Sequence, residues 1–198
     1  MRKLPEDKLL IATHNKGKLT EFQSLLAPYV KKIVSAGALG LPEPEETGQT
    51  FYDNAFIKAK AAGEATGIPS LADDSGLCVN ALGGKPGVLS ARWAHDAGSF
   101  PVAMQRLHEA LKESKDRTAF FVCSLVLFWP DGQSISVEGR CDGALVWPMR
   151  GTGGHGYDPI FQPLGEMRTF AEMEASEKDN ESHRGRALRA LAEMFSQK

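Results

Sequence analysis

Two acidic segments, Glu43-Pro44-Glu45-Glu46-Thr47-Gly48 and Asp73-Asp74-Ser75-Gly76, are the residues of this chain best suited to chemistry. Magnesium is held by hard oxygen donors, commonly one or two carboxylates completed by water and substrate phosphates. Asp73-Asp74 follows Ile68-Pro69-Ser70-Leu71-Ala72, which reads as a strand, and open α/β sheets place their ligands at strand ends. The alternative for that pair is a turn with side-chain-to-backbone bonding; for Glu45-Glu46 it is a solvated loop that caps the next helix. Thr13-His14-Asn15-Lys16-Gly17-Lys18 joins an apolar run to a helical pattern. Unpaired N–H groups at a helix start attract phosphate, Lys16 and Lys18 add positive charge, and Gly17 lets the backbone come close. The segment lacks GxxxxGK[ST], so it is not a Walker loop, and a solvated turn with two surface lysines is the alternative.

Gly151-Thr152-Gly153-Gly154-His155-Gly156-Tyr157-Asp158-Pro159 holds four glycines in six positions. Each costs about 0.5–1 kcal/mol relative to Ala in an ordered element, so close approach to a ligand is the expected reason for them. Lys178 and Ser182-His183-Arg184-Gly185 open the last helical segment and could bind an anion or a base edge. A solvated face carrying Arg184, Arg186 and Arg189 is the alternative. No Ser-His-Asp order, HExxH motif or catalytic cysteine pattern competes. A phosphate-binding turn, paired carboxylates, a glycine loop and a basic clamp together point to metal-assisted nucleotide hydrolysis.

These residues need elements to hold them. Leu9-Leu10-Ile11-Ala12 reads as a buried strand, followed by a helix through Leu19, Phe22, Leu25 and Leu26 that Pro28 closes. Ile33-Val34 is a short strand and 37–48 a loop. A helix over 50–65 sets Phe51, Ala55 and Ala59 on one face and stops at Gly67. The run 68–72 is a strand, and 100–113 is an amphipathic helix through Val102, Met104, Leu107 and Leu111. Residues 119–129 form a long strand, Pro130-Asp131-Gly132 a turn, and 134–141 the hairpin partner. Residues 184–195 form a final helix. Early strand–helix alternation and a later hairpin predict an α/β fold with a mixed, partly antiparallel sheet, in one domain of one or two lobes.

With 198 residues, 42% hydrophobic and 24% charged, a core can form without covalent staples. The net charge of −2 excludes a strongly basic nucleic-acid binder. Cys78, Cys123 and Cys141 are odd in number and form no CxxC pair, so reduced thiols in a cytosolic protein are expected. The segment Met1 to Lys8 carries no signal-peptide apolar region, and no apolar run reaches the ~20 residues of a membrane helix. The expectation is a cytoplasmic protein without membrane or nucleic-acid partners.

The motifs resemble those of the inosine triphosphate pyrophosphatase family, also called Ham1-like or non-canonical purine NTP pyrophosphatases. Beyond the segments above, they include Asn54-Ala55, Ala81-Leu82-Gly83-Gly84-Lys85-Pro86-Gly87 with Ser90-Ala91-Arg92, and Glu177-Lys178. The likeness runs from Leu9 to the last helix. It implies a single domain over 1–198, an elongated central mixed sheet flanked by helices in two lobes, a nucleotide cleft between the lobes, and a homodimer. It implies ITP, dITP and XTP as substrates, cut to the monophosphate and pyrophosphate with Mg²⁺.

By the same resemblance Thr13, His14, Asn15, Lys16, Gly17 and Lys18 hold the triphosphate. Asp74 is the catalytic acid–base group and a metal ligand, with Glu45 or Glu46 and Asp73 completing the metal site. Ser75, His155, Gly156, Tyr157, Asp158, Lys178, His183 and Arg184 bind phosphate, sugar or base. Two positions depart from the pattern: His14 stands where Gly is usual, and His155 where the base-stacking Phe is usual. The readings set against this one are a Maf-like pyrophosphatase acting on other nucleotides and a nucleotide-binding regulator without turnover.

Overall fold

Leu9, Leu10 and Ile11 are all buried because their strand is covered on both faces. In the computed structural model, which describes residues 5 and 7–196, the elements follow as β1 (Leu9–Ile11), α1 (Lys16–Leu26), β2 (Ile33–Ser35), α2 (Phe51–Thr66), β3 (Ser70–Val79), α3 (Ser90–Ala97), α4 (Phe100–Ala110), β4 (Thr118–Phe128), β5 (Ser134–Leu145), β6 (Phe161–Pro163), α5 (Ala175–Glu181) and α6 (His183–Ser196). Among the described residues the strands form one sheet in the order β2-β1-β3-β4-β5-β6. β1 runs parallel to β2 and β3, whereas β5 runs antiparallel to β6, so the sheet is mixed as predicted. Part of the Met1 to Lys8 reading, at residues 1–4 and 6, lies outside the described residues. No helix among the described residues is long and apolar enough to cross a membrane.

The chain divides into two compact units, one of Met1–Asp74, Cys123–Gly139 and Gly185–Lys198, the other of Ser75–Val122 and Arg140–Arg184. In the first, strand alternation sorts side chains to two faces. Leu9, Ile11, Leu71, Leu125 and Leu127 pack with Phe22 and Leu26 of α1 and with Ala187, Leu188 and Leu191 of α6. Leu10, Ala12, Ala72, Val126 and Phe128 pack with Ala55, Ala59 and Ala62 of α2. Small residues let α2 lie close to the sheet. The second unit has its own core, where Leu77, Val79, Phe121 and Cys141 meet Met104 and Leu107 of α4 together with Phe161 and Phe170.

Local chemistry explains the helix ends. Thr50 and Asp53 form a reciprocal cap at the start of α2, and Gly67 ends that helix at φ 66°, a conformation glycine adopts without steric cost. Asn15 caps α1 by accepting from the Lys18 N–H, and α1 stops at Leu26, just before Pro28.

One expectation needs correction, and three short elements are additional to those predicted. Asp73-Asp74-Ser75-Gly76 does not end a strand; β3 runs through it to Val79. Ser70 and Leu71 pair with β1, and Leu77 and Val79 are anchored in the second unit's core, so the flanks carry the extended backbone across four residues of low strand preference. The short elements α3, α5 and β6 were not anticipated. Only the long, strongly periodic segments announce themselves in the sequence.

Gly63 of α2 marks how close the helix and sheet come: a Cβ there would sit 2.7 Å from Phe128 Cδ1 and 2.9 Å from Ser70 Oγ. Overpacking of this kind costs about 1–3 kcal/mol, and a β-branched residue recovers little through helix propensity. Gly63→Val should therefore lower the free energy of unfolding in urea by that amount. Unchanged stability would refute the close packing.

Candidate active site

β1 ends at Ile11, which pairs with Leu71, and the Ala12 N–H bonds to the Leu71 carbonyl, while β3 continues. The two carboxylates of β3 just past this point are 3% and 6% exposed. Buried carboxylates require compensation, and each has it. The Lys18 ammonium, in the first turn of α1, lies 3.1 and 3.0 Å from the two oxygens of Asp73. Asp74 Oδ2 accepts a 3.1 Å hydrogen bond from Asn54 Nδ2, and Asp74 Oδ1 is 3.8 Å from Lys58 Nζ. Lys58 Nζ also lies 2.5 Å from Glu46 Oε1. Asn54 and Lys58, four residues apart on α2, thus present one polar stripe beside the apolar Ala55–Ala59 stripe.

Burial pushes the Asp74 carboxyl above the ordinary carboxylate range; the Lys58 charge opposes this, Glu46 reinforces it, and Asn54 and Lys18 oppose it. Burial works against the Lys58 charge as well, but Asp73, Asp74 and Glu46 outweigh it and hold the ammonium above its usual value. Three carboxylates and two ammonium groups meet in this cluster. Its donors are hard oxygens. Among the described residues no group of three or more His, Cys, Asp and Glu side chains is arranged to hold a metal alone.

The predicted residues of this unit divide. Asp73, Asp74, Glu46 and Lys18 come together; Glu45 is exposed. Lys16 and Gly17 are exposed at the start of α1, and Thr13 Oγ1 accepts the Asn15 N–H. His14 Nε2 lies 2.8 Å from the Leu41 carbonyl oxygen, tying the phosphate-type turn to the loop that carries Glu46. Lys58 carries no signal of its own in the sequence, and Asn54, part of the Asn54-Ala55 motif, carries none of its role. Together they are two polar residues at helical spacing next to a buried alanine stripe, but a solvated helix face has the same pattern.

In the second unit the Asp158 carboxylate, 2% exposed, accepts from Lys178 Nζ at 2.7 Å and from the His155 N–H at 2.7 Å. Arg184 Nη2 donates to Ser75 Oγ at 3.0 Å, and the buried His183 ring stacks on Phe121 with centroids 4.8 Å apart. Arg184 is buried, so the solvated-face reading of that helix start does not hold for it. Tyr157 is buried and donates to the Ser90 carbonyl at 3.0 Å, and burial pushes its hydroxyl up to about 12. His155 itself is exposed.

Two of this loop's four glycines have internal reasons, which the ligand argument made for them did not include. Gly151, at φ 83°, lies against the Ala171 backbone, and Gly154, at φ 69°, lies against the Asp158 carboxylate. A Cβ at either position would collide with those atoms. The sequence reading lacked this packing and attributed the whole glycine excess to a ligand.

A model of the Ham1 family matches residues 9–194. A dITP/XTP pyrophosphatase of Gluconobacter oxydans is 56% identical over 192 residues, which span 96% of this chain and 92% of that protein. A HAM1 protein from Coxiella burnetii has a similar structure, with a TM-score of 0.88 at 37% identity over 96% of this chain and 99% of that one. A nucleoside-triphosphatase / dITP/XTP pyrophosphatase from Mycobacterium abscessus gives a TM-score of 0.75 at 42% identity, over 96% and 100% of the two chains.

The raised Asp74 carboxyl has a consequence for stability. The fold prefers its protonated form, so its contribution is complete below the unfolded value, near 3.9, and is lost as pH rises through the higher folded value. Metal-free wild-type protein should lose stability over this window. Asp74→Asn should not show that loss, and at neutral pH it should melt at or above the wild-type temperature. A clearly lower melting temperature for the variant at pH 7 would contradict the sign.

Proposed function

Since the chain belongs to the Ham1 family, we propose that it hydrolyses dITP, XTP and ITP to the monophosphate and pyrophosphate, removing non-standard purines from the nucleotide pool. The observation that carries this reading is 56% identity, across nearly the whole chain, to a protein named for dITP and XTP pyrophosphatase activity. The charge cluster at Asp73-Asp74 supplies the chemistry. The reading extends to a single domain over 1–198 and a homodimer in the cytoplasm, which rest on the family resemblance.

Asp74 is assigned as the base that accepts a proton from water attacking the α-phosphorus, with pyrophosphate as the leaving group. A carboxylate raised by burial is a stronger base than one in water, which suits it to this work. Lys18 and Lys58 place positive charge beside it, and the Thr13 to Lys18 turn, at the start of α1, is assigned to the triphosphate. Ser75, His155, Gly156, Tyr157, Asp158, Lys178, His183 and Arg184 are assigned to sugar, base or phosphate, with the Asp158–Lys178 pair fixing the loop that bears His155. Donors aimed at a purine 6-oxo group would meet a donor in adenine, and sites of that kind reject the wrong analogue by about 10⁴-fold or more.

The donor set fits Mg²⁺. Asp74 and Glu46 both face Lys58 and Asp73 adjoins Asp74; two carboxylates with water and substrate phosphates are an ordinary magnesium shell. Two of Asp74, Glu46 and Asp73 would hold the ion, with water and substrate phosphates completing its shell, Glu45 being exposed. Bound there, it would neutralise charge on the triphosphate.

Pyrophosphate release should be measured with ITP, dITP, XTP, ATP, GTP, UTP and dTTP, with Mg²⁺ and with a chelator. Activity confined to the first three and abolished by the chelator is expected; preference for UTP or dTTP would instead favour the Maf-like reading. Asp74→Asn should lower kcat for ITP by more than ~100-fold, as loss of a general base does. A variant with near wild-type kcat would remove Asp74 from the mechanism.

A further inference from the structure

The Asn54 side chain is 2% exposed in the first turn of α2 and makes two hydrogen bonds of fixed sense. The Gly48 N–H donates to Asn54 Oδ1 at 2.8 Å. A backbone N–H can only donate, so the amide oxygen must face Gly48 and the amide nitrogen must face the other way, where Nδ2 donates to Asp74 Oδ2 at 3.1 Å. The two orientations of an Asn amide are nearly isosteric; Gly48 decides between them.

Gly48 is placed for this and nothing larger fits. A Cβ on it would lie 2.5 Å from Asp53 Cβ, 2.6 Å from Asn54 Oδ1 and 2.9 Å from Asn54 N. Two residues before it, Glu46 is held by Lys58, and Asp53 and Thr50 lock the helix start through their reciprocal cap. The amide is therefore fixed at both ends, and one of its two N–H bonds is directed at Asp74. With Oδ2 held by Asn54, Oδ1 is the oxygen turned toward Lys58.

We infer that Asn54 is a positioning residue for Asp74: Gly48 orients its amide, and the amide fixes the rotation of the carboxylate, so that one particular oxygen is presented for proton transfer. The inference rests on the assignment of Asp74 as the base. It concerns the orientation of that carboxylate, which the family assignment does not address.

The test uses Asn54→Asp and Gly48→Ala. An Asp at 54 keeps the shape and can still accept the Gly48 N–H, but as a carboxylate it donates nothing to Asp74. Loss of a partner that orients a reacting group costs about 10–100-fold. Asn54→Asp should lower kcat for ITP within that range with KM changed less than ~3-fold, because substrate-binding residues are untouched, and the second carboxylate beside Asp74 should lower the melting temperature as well. Gly48→Ala, which displaces the amide without altering any charge, should also lower kcat more than it changes KM, with a lower melting temperature from the contact of its Cβ on Asp53 and the Asn54 backbone.

In the Asp74→Asn background, adding Asn54→Asp should cost nothing further in single-turnover rate, since both act through one group. Wild-type kcat in Asn54→Asp or Gly48→Ala, a KM raised as much as kcat falls in either, or multiplicative loss in the double variant would each overturn the inference. An active Asp74→Asn would instead overturn the base assignment, a separate result.

Discussion

Everything about the candidate site follows from keeping adjacent carboxylates out of water in the middle of a strand. An isolated buried carboxylate is too costly to persist, so Asp73 and Asp74 can sit at 3% and 6% exposure only with partners. Asp73 takes Lys18 from α1, while Asp74 takes Asn54 and shares Lys58 with Glu46. That need for partners dictates the surroundings. α2 must lie close to the sheet, which its alanines and Gly63 permit, and the loop before it must return to place Glu46 beside Lys58. Removing a single ammonium would leave a buried charge uncompensated, so the cluster holds together as a set.

Asp73, Asp74 and Glu46 bring hard oxygens together with the Lys18 and Lys58 ammonium groups, the two kinds of group that a proposed magnesium–triphosphate complex would need side by side. The second unit solves a different problem with the same means. Asp158 is satisfied by Lys178 and the His155 N–H, Tyr157 by the Ser90 carbonyl, and Arg184 bonds Ser75, so the loop and helix start are held in single geometries before any ligand arrives. Groups held in advance lose little freedom on binding.

The sequence revealed the actors better than their stage. Asp73-Asp74 stood out because charge rarely follows an apolar strand without reason, yet the strand's continuation to Val79 was hidden by four residues with poor strand preference. Lys58 was invisible and Asn54 stood in a motif without a role, since an alanine- and lysine-rich helix reads equally well as solvated. The glycines at 151 and 154 were legible as unusual but misread in cause, because the backbone of Ala171 and the carboxylate of Asp158 that crowd them are distant in sequence or bonded through tertiary contacts. The same holds for His14: its bond to the Leu41 carbonyl spans 27 residues. Periodicity reports which face is buried, and only tertiary structure reports what a polar group meets there.

The central claim is that the cluster around Asp74 is where the phosphate chemistry takes place. The most direct measurement is a crystal structure of the Asp74→Asn protein with ITP and Mg²⁺, in which the lost base preserves the substrate. The account predicts the triphosphate against Thr13 to Lys18, with its α-phosphorus one water molecule away from residue 74. A triphosphate bound away from that cluster, with residue 74 out of reach of the α-phosphorus, would contradict it.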